Sequence, residues 1–528
     1  MRLPDTLRIK DGVTWLVAAY AVWTALLLWP IFAVRVPCLG DYLNHLARIS
    51  IMKDIGGSLV LQRYYQTSWK FVPYYGMDIP VLLLTRMMSV YAAGRIFVAA
   101  CVLMPVAAAA ALRWAAYRRI GYLPLLAGLF SFNHLLERGY VNYLFSAGLS
   151  VLLFAGWIAT EGRRPFRRAA LFSAGLMALY MCHAFALLVY CILVFGYEMG
   201  RAWRAHFRPA REIAACWLAA ALQAVPVLVI GSVLGGNSEV HGSYTYYGTI
   251  LDKIGALISP LYFPSGFAGG DTIIVGCILF LVACALVLWR ELRFAPVLTG
   301  PVLALLIASV AMPSVLFNAW GCDFRIPLIV VIVLIAGLAA PGSSRGRMAA
   351  VLACTLAFVA LRSAGALAVL TTFNRQIAEV RRTLAPLPDG AKLLVVDTGQ
   401  ADAKWRALPA TATGHVPLIA AIDHHAFVPY LFIGTLPLAP VAAMVNSSSS
   451  ISVPIDLAQL QDGFTHGDPP GGPPRYGWGG HMYWLGWPGK FDYVLLEHFG
   501  AAVGHLPPAL RVVEHGIIAD LYAVDASQ

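Results

Sequence analysis

The chain has 528 residues, of which 59% are hydrophobic and 12% charged, with a formal net charge of +11. A soluble protein carries about 25% charged residues, so composition excludes an ordinary soluble globular chain. The positive balance does not point to nucleic acid: residues 371–528 hold nine Lys/Arg and thirteen Asp/Glu, a balance of −4, which leaves +15 on the rest.

That charge lies in short patches between long apolar runs, where it sets membrane topology. Charge-free runs at Gly12–Val34, Gly139–Thr160, Ala169–Tyr197, Ile213–Ser238, Thr272–Trp289, Phe294–Cys322 and Ile326–Ser344 supply spans of about 20 apolar residues. No small-residue cleavage site follows the first run, since Val36-Pro37-Cys38-Leu39 does not fit one, so a retained helix is expected. The basic patches are Arg2/Arg8/Lys10, Arg113/Arg118/Arg119, Arg163/Arg164/Arg167/Arg168, Arg201/Arg204/Arg208/Arg211, Arg290/Arg293 and Arg345/Arg347. Placing all of them in the cytoplasm gives a consistent path of about eleven crossings, with the N-terminus inside and the C-terminus outside.

In chain order, a helix over about 13–34 exits and an outer loop covers 35–76. Segment 77–91, broken by Arg86, is predicted to lie along the interface. A helix over about 93–112 returns, and 120–135 with 139–160 form a hairpin around the outer turn His134–Arg138. Run 169–200 must leave and return between two basic patches, so it is split near Cys182-His183. Helices follow over 213–233, 273–290, 295–312, 326–341 and 348–370, with outer loops at 235–272 and 313–325.

Beyond residue 370 the texture changes. Asn374–Leu384 reads as a helix, and Leu393–Asp397, Phe491–Leu496 and Leu510–Glu514 read as strands of an extracytoplasmic α/β domain, 371–528. The serine run Ser447–Ser450 and the Gly/Pro/aromatic stretch 463–489 read as loop. None of the nine cysteines falls in this domain, and no spacing suggests zinc. Cys38 and Cys322 both fall in outer loops, which would allow a disulfide in an oxidising compartment.

Polar residues gather just beyond the spans on the outer side. After the first helix, Asp41, His45 and Arg48 share one face of a helix while Leu43, Leu46 and Ile49 share another, the pattern of an amphipathic helix on the membrane. Asp41 stands at the helix start, where the plain alternative is a capping role. Asn44 lies within the same segment. A second cluster, Asn133–Tyr143, contains His134, Glu137 and Arg138, where a Glu–Arg pair can be a mere surface ion pair. A third, Asn318–Arg325, places Asp323 and Arg325 beside a helix; a fourth holds His241, Tyr244, Tyr246, Tyr247, Asp252 and Lys253. His183 sits between two short helices. Polar groups beside apolar runs are costly unless they serve a cavity.

A first helix, an outer loop opening with Asp41-Tyr42-Leu43-Asn44-His45 on a juxtamembrane helix, an acidic residue at Glu137 in the next outer turn, many further helices and a C-terminal domain together resemble the GT-C superfamily of membrane glycosyltransferases. The resemblance implies a polytopic helical fold and transfer of a sugar from a polyprenyl-phosphate-linked donor, with inversion, to a glycan, lipid or protein acceptor at the outer face of the cytoplasmic membrane. It implies Asp41 as general base. Glu137 and His134 would position the acceptor or assist the base, and His45 would orient Asp41. Arg325 and Arg138, with Arg48 behind them, would meet the leaving phosphate; Asn44, His183, Asp323 and Tyr246 complete the expected binding set. Asp41 is followed by Tyr42 where the family often shows a second acidic residue, so no cofactor is assigned, although the pattern leaves room for a divalent metal. Trp478, Tyr483, Trp484 and Trp487 either stack on sugar or pack their loop. Competing readings are a polysaccharide polymerase or ligase, and a lipid or glycan transporter, which Arg86, Arg95 and Arg362 would suit.

Overall fold

The computed structural model describes residues 5–234, 244–400, 408–433, 437–449, 453–469, 472, 475–476 and 480–525. His241, Ser450 and Trp478 lie outside them. The membrane helices are α1 (Asp5–Phe32), α3 (Val90–Tyr117), α4 (Val141–Ala159), α5 (Pro165–Cys182), α6 (Ala184–Arg204), α7 (Gly270–Leu288), α8 (Pro296–Ala311), α9 (Pro327–Gly337) and α10 (Arg345–Thr383), with α2 (Tyr42–Asp54) in the loop after α1. Between α6 and α7 run Ala210–Leu222 and Val225–Leu234, which together make one apolar span. Among the described residues seven helices are long and apolar enough to cross a membrane, and α8 and α9 are shorter apolar helices. The chain is a polytopic helical membrane protein with a small α/β region at its C-terminal end.

Two of the helical segments differ in form from the sequence reading. Segment 120–135 forms a 3-10 helix at Leu123–Phe130 and a single turn at His134–Glu137. All eight residues of the 3-10 helix are buried, so neighbouring helices shield the segment and it need not build a lipid-facing α-helix. The proposed break at residue 371 falls inside α10, which runs on for 39 residues. At 1.5 Å per residue that is about 58 Å, well beyond a bilayer's thickness, so one helix serves both as a span and as the stalk of the C-terminal domain.

The basic patches from Arg113 onward collect at one end of the bundle. Arg118 donates to the Ala159 carbonyl at 3.5 Å, Arg204 to Pro296 at 2.7 Å, and Arg347 pairs with Glu291 at 2.6 Å. The C-terminal domain covers the opposite end. Its sheet has the order β3 (Leu510–His515), β4 (Ala519–Val524), β2 (Tyr493–Glu497), β1 (Leu393–Asp397), with β1 and β2 parallel and the other pairs antiparallel. Strand β4 was not read from the sequence. Cys38 and Cys322 are both buried free thiols, and Cys322 donates to the Ala319 carbonyl at 3.1 Å, so the disulfide does not form.

Among the described aromatic residues of the late loop, Trp484 and Trp487 pack the domain. Trp487 is fully buried and donates to the Leu460 carbonyl at 2.9 Å, while Trp484 donates to Asp462 at 3.3 Å.

Candidate active site

Helix α2 begins straight after Asp41, but Asp41 makes no capping bond. The capping role is thereby removed, and the carboxylate is left for other work. Nor does α2 lie on the membrane: nine of its residues, Leu43, Leu46 and Ile49 among them, are buried between the bundle and the C-terminal domain. The turn 133–139 fixes Asp41 from below. The Gly40 N–H donates to the Glu137 carbonyl at 2.7 Å and the Asp41 N–H to the Arg138 carbonyl at 3.0 Å. Gly139, at φ 78°, passes so close that an added Cβ would lie 2.3 Å from the Asp41 nitrogen. Only glycine fits that conformation and that approach.

Asp41 opens onto a cavity of about 530 Å³ that also meets His45, Arg48, Tyr140, His183 and Arg325. Here the helical spacing of residues 41, 45 and 48 does put one polar face toward a shared space. Tyr74, Asn142, Tyr143, Asn318, Phe432 and Ile433 complete the wall. Arg325 is held by rings, its guanidinium carbon 4.9 Å from Phe185, 5.3 Å from Tyr140 and 5.6 Å from Tyr143. One of its terminal nitrogens donates to Trp320 at 3.3 Å, while its Nε is buried and unpartnered. Arg48 is fully buried and paired with Asp78 at 2.6 Å, so its charge is neutralised, although its Nε and Nη1 remain without partners.

Burial pushes Asp41 up to about 6, against the opposing fields of His415, Arg138 and Arg325 and with a further upward push from Glu137. His45 is held well below its ordinary value by burial, then by Arg48, His415 and His183. Burial and Arg325 likewise bring His183 down to about 3. Both imidazoles are therefore neutral, and His183 accepts the Phe185 N–H at its Nδ1.

Other expected members of the site stand elsewhere. Glu137 does not line the cavity, because its carboxylate is engaged by His134 at 3.0 Å and Arg138 at 3.8 Å. His134 packs its ring on Tyr262 and Phe324, also outside the cavity. Arg138 reaches Asp41 only through its field and its carbonyl. Asn44 faces the C-terminal domain, donating to the Tyr430 carbonyl at 3.1 Å and accepting from the Phe432 N–H at 2.6 Å. Asp323 is buried against Ser314 and Lys253. Tyr246 is stacked on Tyr244 away from the cavity. His45 does not orient Asp41 through its side chain; the nearest titratable partner is His415, 4.0 Å away.

His415 is the residue that sequence reasoning missed. Its Nδ1 lies 2.8 Å from the Gly40 carbonyl, across a separation of 375 residues, and no local signal marks such a contact. Among the described residues no three His, Cys, Asp or Glu side chains gather closely enough to hold a metal ion. Arg95 and Arg362 spend donors on the carbonyls of Val34, Leu261 and Phe132, which accounts for two of the intramembrane charges that would have suited a transporter.

No protein-family model matches the sequence, and no curated protein matches it either. Among solved structures, the chain is similar to ArnT from Cupriavidus metallidurans. With undecaprenyl phosphate bound, that structure aligns with a TM-score of 0.51 at 12% identity, covering 97% of this chain and 98% of ArnT. The apo form gives 0.50 at 12% identity, with 98% and 99% covered. At such identity the likeness is one of fold, and it extends over membrane helices and C-terminal domain together. The polytopic helical fold with a C-terminal domain expected from the helix order is the one the chain adopts, and it is shared with ArnT.

Proposed function

We propose that the chain transfers a sugar from a polyprenyl-phosphate-linked donor to an acceptor hydroxyl, with inversion at the anomeric carbon and Asp41 as general base. The observation that carries this reading is the placement of an uncapped, half-buried carboxylate and a ring-caged arginine on one cavity. ArnT, similar in fold, is a protein whose structure holds undecaprenyl phosphate, which favours a polyprenyl-phosphate lipid here.

The chemistry needs few groups. Asp41 takes the acceptor proton as the acceptor oxygen attacks the anomeric carbon, and the carbon–oxygen bond to phosphate breaks with its electron pair on the phosphate. A base with a pKa of about 6 is mostly ionised at neutral pH yet still basic enough to receive a proton. Phosphate leaves without a general acid, unlike the two-carboxylate arrangement of glycoside hydrolysis. It needs fixed positive charge, which Arg325 supplies, and N–H donors, which the unspent Nε of Arg325 and the unspent Nε and Nη1 of Arg48 supply. His45 and His183, both neutral, add polar contacts without adding charge.

The orientation follows from charge. The basic patches share the end opposite the cavity, and positive loops stay in the cytoplasm. The cavity and the C-terminal domain then face outward from the cytoplasmic membrane, where a glycan, lipid or protein acceptor is met. The decisive test is sugar transfer from a synthetic polyprenyl-phosphate donor by the purified full chain. Asp41→Asn should lose turnover while still binding polyprenyl phosphate, and full turnover by that variant would overturn the assignment.

A further inference from the structure

A second cavity, of about 440 Å³, is bounded by Arg113, Tyr117, Arg119, Tyr122, Arg293 and Met348. It lies at the other end of the bundle. Tyr91, near the start of α3, donates to Asp423 of the C-terminal domain; Arg113 stands 22 residues further along the same helix, or about 33 Å at 1.5 Å per residue. That distance is about one hydrocarbon thickness. The cavity therefore sits at headgroup level in the leaflet opposite the C-terminal domain, far from Asp41.

Topology alone explains basic residues on this face, but not their convergence. Arg113 and Arg119 flank the end of α3, Arg293 precedes α8 and Met348 opens α10, so separate segments build one wall. On the same face Arg201 pairs with Glu198 at 2.7 Å and Arg347 with Glu291 at 2.6 Å. Among the described residues, none of the three cavity arginines forms an ion pair. Arg113 gives one nitrogen to the Leu338 carbonyl, keeps a buried Nε without a partner, and lies 4.9 Å over the Tyr117 ring. Tyr117 in turn donates to the Gly337 carbonyl at 2.7 Å, so both side chains are anchored on the C-terminal end of α9. Arg113 and Tyr117 thus form a fixed back to the cavity, with Arg293, which donates to the Arg290 and Leu292 carbonyls, and Arg119 at its exposed rim.

Guanidinium groups with unspent N–H donors bind phosphate oxygens, and basic pockets between membrane helices suit anionic lipid headgroups. We propose that this cavity binds the phosphodiester headgroup of an anionic phospholipid in the leaflet opposite the C-terminal domain. The site is independent of the sugar-transfer reading.

The test uses the purified full chain in detergent, delipidated and titrated with short-chain phosphatidylglycerol, short-chain phosphatidylcholine or inorganic phosphate, followed by native mass spectrometry. Phosphatidylglycerol should bind tighter than phosphatidylcholine. Arg119→Gln with Arg293→Gln should weaken it about thirtyfold, at about 1 kcal/mol for each arginine and about 1.4 kcal/mol per tenfold. Both side chains are exposed, and the paired Lys variant should retain affinity, separating lost charge from lost fold. Equal binding of the two lipids, or unchanged phosphatidylglycerol binding in the Gln variant, would overturn the proposal. Inorganic phosphate binding as tightly as phosphatidylglycerol would overturn the lipid assignment in favour of a soluble anion.

Discussion

Replacing Asp41 by Asn should stabilise the protein at neutral pH while it removes sugar transfer. The carboxylate is raised from 3.8 to about 6, chiefly by burial, so the native state binds its proton more tightly than the unfolded chain does. The stability Asp41 contributes is fully present below the unfolded value and is lost as pH rises through about 6. Above that pH the ionised group costs about 3 kcal/mol, at about 1.36 kcal/mol for each pH unit of separation. Asparagine has no such cost, and no capping bond is forfeited, because Asp41 makes none. Thermal unfolding of both proteins in one detergent, followed from pH 4 to pH 8, should show the Asn variant ahead at pH 7.5 and the gap closing as pH falls below 6. In a chain this long the gain is a few degrees, since melting-temperature shifts shrink with size. A variant that melts lower than wild type at pH 7.5 would show that burial does not govern this carboxylate.

The neighbours of Asp41 should move the acid limb of the rate profile in opposite directions. Glu137 raises Asp41 and Arg138 lowers it, so Glu137→Gln should shift the limb to lower pH and Arg138→Gln to higher pH; parallel shifts would refute the field argument. Arg325→Lys keeps the charge but loses the planar fork held between Phe185, Tyr140 and Tyr143. Transfer efficiency should fall roughly a hundredfold, the scale of losing one oriented donor at a developing charge, and activity near wild type would remove Arg325 from the phosphate site. Asn44→Leu strands the Tyr430 carbonyl and the Phe432 N–H, at about 1–3 kcal/mol each. It should lower the melting temperature and speed proteolysis around residues 430–433, and an unchanged digest would refute the clasp.

What the sequence reveals here follows the range of the forces involved. Apolar runs and basic patches act locally, and they located the helices, the break at His183 and the common side of Asp41, His183 and Arg325. The segment 120–135 reads as one regular membrane helix but holds a buried 3-10 helix at Leu123–Phe130, because burial inside protein leaves no mark on hydropathy. The helix Asn374–Leu384 was legible, but its continuity with the preceding span was not: charge begins at Arg375 while the backbone hydrogen bonding of α10 continues to Thr383. Within the site, periodicity put Asp41, His45 and Arg48 on one face. It could not distinguish donors spent on structure from donors left over. Asn44 and Asp323 look as functional in sequence as Arg325, yet their partners lie in segments far along the chain or in separately folded loops.

The deeper consequence concerns the C-terminal domain, which completes the cavity rather than sitting beside it. His415 anchors to the Gly40 carbonyl, Phe432 and Ile433 form part of the wall, and Asn44 ties α2 to the turn that carries them. Two further ties hold the domain in register with the bundle. Asp423 receives Tyr91 at 2.9 Å and Arg381 at 2.7 Å, and Asn374 accepts from the Val36 N–H at 3.0 Å. A carboxylate beside open water would titrate near 4 and be a weak base. Phe432 and Ile433 close one side of the cavity on which Asp41 stands, while the field of His415 opposes the rise that burial imposes on Asp41, so residues nearly four hundred positions later shape the setting of the residue after the first membrane helix. The length of α10 has the same logic: a span that stopped at the membrane surface would leave the domain free to swing, whereas one rigid helix carries it into place over Asp41.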